Sequence, residues 1–167
     1  GLSHLRSLSP EPSCYNYHAM SGQYIEIQFR ECLKQVLIYY PVALAYLYGS
    51  QAAGQATPLS DVDIALVMVD HDYDPKSRLE LELRVEGEIA RICGIGNIDV
   101  RVMNDAPLMI RGEVVTNGIL LYCRDEVFRV DFETSTRSEY FDFLPVAAMH
   151  RQAYFEQLGV PVPPDDG

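Results

Sequence analysis

Residues 47–67 read LYGSQAAGQATPLSDVDIALV, a stretch that divides into strand, turn, loop and strand. The apolar run VALAYLY, 42–48, leads into it and reads as a short buried strand. Gly49-Ser50 follows directly, and residues 51–60, small and polar with Gly54 and Pro58, read as a short helical turn and a loop. DVDIALVMV, 61–69, is a second strand pattern. Asp61 and Asp63 lie two apart at its start, and side chains two apart on a strand share a face. Two carboxylates on one spot repel, each raising the other's pKa, and a divalent cation removes that conflict. Hard ions such as Mg²⁺ take carboxylate oxygens and share coordination with substrate phosphates. Gly49 lets the backbone approach a ligand, and N–H groups opening a helical turn attract phosphate oxygens. If the two strands pair, a Gly49-Ser50 phosphate cradle faces the metal carboxylates.

Outward from this centre, apolar residues Phe29, Cys32, Leu33, Val36, Leu37 and Tyr40 trace one helical face over about 24–40, ended by Pro41. HDYDP, 71–75, reads as a loop, and His71 with Asp70, Asp72 and Asp74 as a solvated turn rather than a metal cluster. Residues 76–93 predict a helix with Leu81, Val85, Ile89 and Ile92 on its apolar face and Gly94 as its cap. NIDVRVM, 97–103, is a third strand, 106–117 a helix and ILLY, 119–122, a fourth strand. A long helical region follows over about 125–158, with Pro145 as its candidate break. The order α-β-α-β-α-β-α-β-α predicts an α/β (α+β) domain: a small mixed β-sheet flanked by helices, with a C-terminal helical region.

Asp99 sits between apolar Ile98 and Val100, so it faces the other side of the sheet from them. A third carboxylate beside a metal pair can ligate a second ion and accept a proton from an attacking hydroxyl. Arg101, two further on, shares that face and is placed to touch a phosphate or neutralise the acids. Arg78, Arg84 and Arg111 are the other cations expected to approach. Asp-x-Asp alone also occurs in solvated loops and helix caps. The combination G-S-x10-D-x-D arises by chance on the order of once in a thousand chains of this length.

The 167 residues, 48% of them hydrophobic, suffice for one domain with a real core. Residues 23–158 carry the patterned sequence; 1–22 are expected to be poorly ordered or folded back through Tyr15 and Tyr17, and 159–167 to be a loose tail. A net charge of -11 disfavours a nucleic-acid partner and suits a basic protein partner or simple solubility. Cys14, Cys32, Cys93 and Cys123 form no C-x-x-C pair, so zinc and redox motifs are not expected and free thiols are. With no signal peptide and no membrane-length apolar run, a cytoplasmic protein is expected. Tyr39, Tyr40, Tyr46 and Tyr48 sit in apolar elements and are expected as core or interface residues. Tyr140, Phe141, Phe143, Tyr154 and Phe155 are expected mainly as core, with a partial interface role.

Residues 47–67 resemble the signature of the DNA polymerase beta-like nucleotidyltransferase superfamily. Within it the chain is similar to the minimal nucleotidyltransferases, the MNT-domain (MntA-like) antitoxins paired with HEPN-domain toxins. The likeness runs from about residue 25 to 158 and includes RSEYFDFLPVAAMHRQAYFEQL, 137–158. The resemblance implies that Asp61 and Asp63 bind Mg²⁺, that Asp99 completes the triad, and that Gly49 and Ser50 hold the triphosphate of ATP. It implies transfer of AMP from ATP to a tyrosine of the HEPN partner, silencing an RNase toxin. Family members often carry a basic residue where this chain has Ala53, with Gln51 and Gln55 neutral too, so one phosphate contact is absent. Two alternatives stand beside this reading. One is transfer to a small molecule such as an aminoglycoside, for which about 40 residues beyond ILLY leave little room. The other is an antitoxin that only masks its toxin, which three retained aspartates disfavour. Homo-oligomer formation is left open.

Overall fold

A computed structural model describes residues 22–52, 54, 61–70 and 72–164, giving backbone alone for 22–26, 50 and 51. The elements are α1 (Gly22–Leu37), β1 (Val42–Tyr48), α2 (Gly49–Ala52), β2 (Val62–Met68), α3 (Pro75–Cys93), β3 (Ile98–Val102), α4 (Leu108–Asn117), β4 (Ile119–Cys123) and α5 (Glu126–Leu158). Their order is the one expected. The expectations for residues 1–21, Ala53, Gln55 and His71 fall outside the described residues.

The strands form one mixed sheet in the order β3-β2-β1-β4. β1 pairs antiparallel with β2 and with β4, and β2 pairs parallel with β3. A parallel pair needs a crossover, which α3 supplies. β1 and β2 are central and buried on both faces, which explains their nearly unbroken apolar runs.

Two cores lie on opposite faces. Phe29, Leu33, Val36 and Leu37 of α1 and Val85 and Ile89 of α3 pack on Ala45, Ile64, Leu66 and Val100. Val114 and Val115 of α4, with Phe128 and Phe132 of α5, pack on Tyr46, Ala65 and Val67. Tyr46 donates to Glu133 Oε1 of α5 at 2.7 Å, and Arg129 and Arg137 flank the same carboxylate at 2.9 and 3.4 Å. Paired in this way, a buried acid fixes the seating of α5 on β1.

Local chemistry sets the boundaries. Asp74 caps α3 by accepting from the Lys76 and Ser77 amides, and Pro75 takes the first helical position. Gly94 closes α3 in the left-handed region at φ 67°. α1 ends at Leu37, a turn earlier than expected, because the residues before Pro41 are steered out of helix. Tyr39, just beyond its end, is exposed, so of the two expectations core is excluded there and interface is not.

Three further expectations are corrected. Pro145 does not break α5, which runs continuously to Leu158. The carbonyl deprived of a partner belongs to exposed Phe141, where solvent can satisfy it. The aromatic C-terminal region is not mainly core: Tyr140 is buried, but Phe141, Phe143 and Tyr154 are exposed. At 1.5 Å per residue a 33-residue helix outruns strands of five to seven residues, so its second half has no sheet beneath it. Finally, Cys32 and Cys93 are not free thiols but a disulfide joining α1 to α3, with Cα atoms 5.7 Å apart. Packing of the two helices on one sheet face brings together residues 61 apart in sequence, which motif spacing does not register. Cys123 is free. In the described part of the tail, Arg151 donates to the Pro163 carbonyl. No helix among the described residues is long and apolar enough to cross a membrane.

Candidate active site

The site lies at one end of the sheet, on the face covered by α4 and α5. Tyr48 of β1 is the register partner of Asp63 in β2, and Asp63 is the partner of Asp99 in β3. Cross-strand partners share a face, so hydroxyl, carboxylate and carboxylate stand in a row. Burial, then the charges of Asp99 and Asp61, raise the Asp63 carboxyl above its ordinary range. Burial, then the charges of Asp63 and Asp99, also raise the Tyr48 hydroxyl. Asp61 lies exposed one residue before β2, near enough to act on Asp63.

Gly49 closes the row. Its φ is 71°, in the left-handed region that side chains rarely adopt, and a Cβ there would stand 2.6 Å from Asp63 Oδ2. The glycine therefore does two things: it turns the chain from β1 into α2, and it leaves the space the Asp63 carboxylate occupies. Ser50 is the second residue of α2; its side chain is outside the described atoms.

Asp99 is engaged by Arg101, whose Nε lies 3.1 Å from Oδ1. This realises the expectation that Arg101 would face the acids. The other three arginines do not join it. Arg111 donates to the Ala106 carbonyl, Arg84 lies by Tyr40 and Glu88 toward α1, and Arg78 sits in the first turn of α3.

Glu82 was not foreseen. It is buried on α3, its Oε1 accepts the Val102 amide at 2.9 Å, and its Oε2 lies 3.8 Å from Arg101 Nη1. Glu86 accepts the Val100 amide at 3.3 Å in the same manner. Together they satisfy two outer amides of edge strand β3, which would otherwise be open to pairing. The signal was present: Glu82, Val85 and Ile89 are the buried residues of α3, and a carboxylate on such a stripe needs partners. Ile92, expected on that face, is exposed.

A hard divalent cation suits this donor set. Its oxygens come from Asp61, Asp63 and Asp99, and Asp63 bears the like-charge conflict that a cation relieves. Among the described residues no three acidic, His or Cys side chains are already gathered closely enough to hold an ion. Asp99 faces Arg101 instead.

The family described as Polymerase beta, Nucleotidyltransferase matches residues 31–127, more than half of the chain. This protein belongs to that family. The matched segment contains Gly49, Asp61, Asp63, Glu82, Asp99 and Arg101. No curated protein matches the chain. Among solved structures, a toxin–antitoxin with AMP-PNP is 24% identical, with a TM-score of 0.57, covering 81% of this chain and 98% of the other. A tri-AMPylated Shewanella oneidensis HEPN toxin in complex with MNT antitoxin is 22% identical, with a TM-score of 0.52, covering 83% and 98%. At these identities the likeness is one of fold, and it extends over nearly the whole of the matched chains.

Proposed function

We propose that this nucleotidyltransferase is an antitoxin that transfers AMP from ATP to a tyrosine of a HEPN-type RNase toxin and so neutralises it. The observation that carries the catalytic part is the Gly49–Asp63–Asp99 row. A chain reversal without a side chain sits against a carboxylate whose neighbour is another carboxylate. Asp61 and Asp63 hold Mg²⁺, Asp99 completes the set, and Gly49 and Ser50 hold the triphosphate. The cation supplies charge neutralisation at the phosphates. The tyrosine oxygen attacks the α-phosphorus, the bond from that phosphorus to the bridging oxygen breaks, and pyrophosphate leaves. Asp99 takes the proton.

The protein acceptor is favoured by the fold likeness to toxin–antitoxin structures, which spans those chains almost completely. The exposed Phe141, Phe143, Met149 and Tyr154 of α5 supply apolar surface for such a partner. Residues 23–158 form the catalytic domain in this reading, flanked by 1–22 and 159–167. A cytoplasmic setting accompanies an RNase toxin, although the Cys32–Cys93 disulfide is unusual there.

Incubation with ATP labelled at the α-phosphate, Mg²⁺ and the product of the adjacent gene should place label on that product. Asp61→Ala/Asp63→Ala should abolish the transfer and keep the fold. Undiminished labelling by this variant would refute the site; a tight complex without label would favour masking. Labelling of an aminoglycoside instead would favour the small-molecule reading.

A further inference from the structure

Arg101 stands between two carboxylates of different kinds. Asp99 is 39% exposed and belongs to the row of site acids, and Arg101 is itself 58% exposed. Glu82 is only 8% exposed and cannot follow the guanidinium, because its other oxygen is tied to the Val102 amide. The contact to Asp99 is the closer, 3.1 Å against 3.8 Å. An ion pair this exposed is weakly held.

We propose that Arg101 is a tethered counter-cation that competes with the divalent ion for Asp99, and that Glu82 is the positioning residue that draws it away. With no ion, Arg101 covers Asp99 and limits the repulsion among the site acids. Once an ion takes Asp99, the displaced guanidinium has the fixed charge of Glu82 to turn to and stays beside the site. The pair therefore sets the threshold for cation loading. This rests on the reading of Asp61, Asp63 and Asp99 as ligands.

The test is Mn²⁺ binding to the full chain without nucleotide, read from the free-Mn²⁺ paramagnetic resonance signal. Arg101→Gln should tighten binding about two- to fivefold, equivalent to ~0.4–1 kcal/mol at 1.4 kcal/mol per tenfold. Arg101→Lys, which keeps the charge, should return toward wild type. Glu82→Gln keeps an acceptor for the Val102 amide but removes the pull on Arg101, and should weaken binding by a similar factor. In the Arg101→Gln background the Glu82 change should have no further effect, whereas a mere change of local field would add independently. Independent addition, or no tightening by Arg101→Gln, overturns the proposal. Asp63→Asn separates the levels. If it loses the ion while Arg101→Gln gains nothing, this proposal alone falls; if it binds like wild type, the ligand reading falls and takes the proposal with it. Should Glu82→Gln unfold, the exposed Arg101 variants decide.

Discussion

Gly49→Ala isolates the contact on which the site depends. Two costs combine. The first is conformational: Ala at φ 71° costs roughly 1–2 kcal/mol, reduced by the ~0.4–1 kcal/mol that Ala gains by restricting the unfolded chain. The second is steric. The new methyl would meet Asp63 Oδ2 at 2.6 Å, and ordinary contact begins at 3.4 Å, so the carboxylate must retreat by about 0.8 Å. The two costs read out differently. A net loss near 1 kcal/mol lowers the melting temperature by only about 2–4 °C in a domain of this size. On the proposed reading of Asp63 as a metal ligand, a displacement approaching 1 Å lowers transfer on the order of a hundredfold. The assay is AMP transfer to the proposed toxin partner, measured beside thermal melting of the same preparation. The expected result is a variant that is folded at the assay temperature and nearly inactive. Transfer within threefold of wild type would show that Asp63 does not need its present position, and the reasoning would fail.

Three further outcomes follow from other contacts. Asp63→Asn should melt above wild type at neutral pH without divalent ions, because the fold raises this carboxyl and so disfavours its charge. The wild-type benefit is fully present below the ordinary Asp range and lost as pH rises through the raised value, so the gap should close in acid; equal melting at pH 7 contradicts this. Gly112→Ala would set a methyl 2.2 Å from the Tyr140 ring at the α4–α5 contact. Overpacking of about 1–3 kcal/mol should outweigh the ~1 kcal/mol helix preference of Ala, visible as a lower denaturation midpoint. Cys32→Ser/Cys93→Ser opens a cross-link between residues 61 apart and should cost about 4 kcal/mol against the oxidised protein. A denaturation curve unmoved by the change, or by reductant, would count against that linkage.

Much of this protein is legible along the chain because its signals are local. Period 2 against 3.6, the caps at Asp74 and Gly94, and the apolar runs of β1 and β2 mark the elements within a few residues. Asp61 and Asp63 stand two apart, and Gly49 directly follows a strand, so the centre of the site is written in one stretch of 21 residues. α5 misled at both of its cues. Pro145 breaks a helix only where the lost hydrogen bond cannot be replaced, and aromatic residues are core only where something lies above them.

What the chain determined alone is therefore composition and period: the order of elements, the acids and the glycine. Tertiary structure decided what meets what. Parallel pairing of β2 with β3 sets Asp99 beside Asp63, though 36 residues separate them. Seating of α3 on the edge of β3 brings Glu82 to Arg101, and seating of α1 beside α3 joins Cys32 to Cys93. Even Gly49, chosen locally for its turn, is required a second time by a carboxylate from another strand. Sequence patterns carry periodicity over a few residues, whereas charge and van der Waals contact act through space across any number of them.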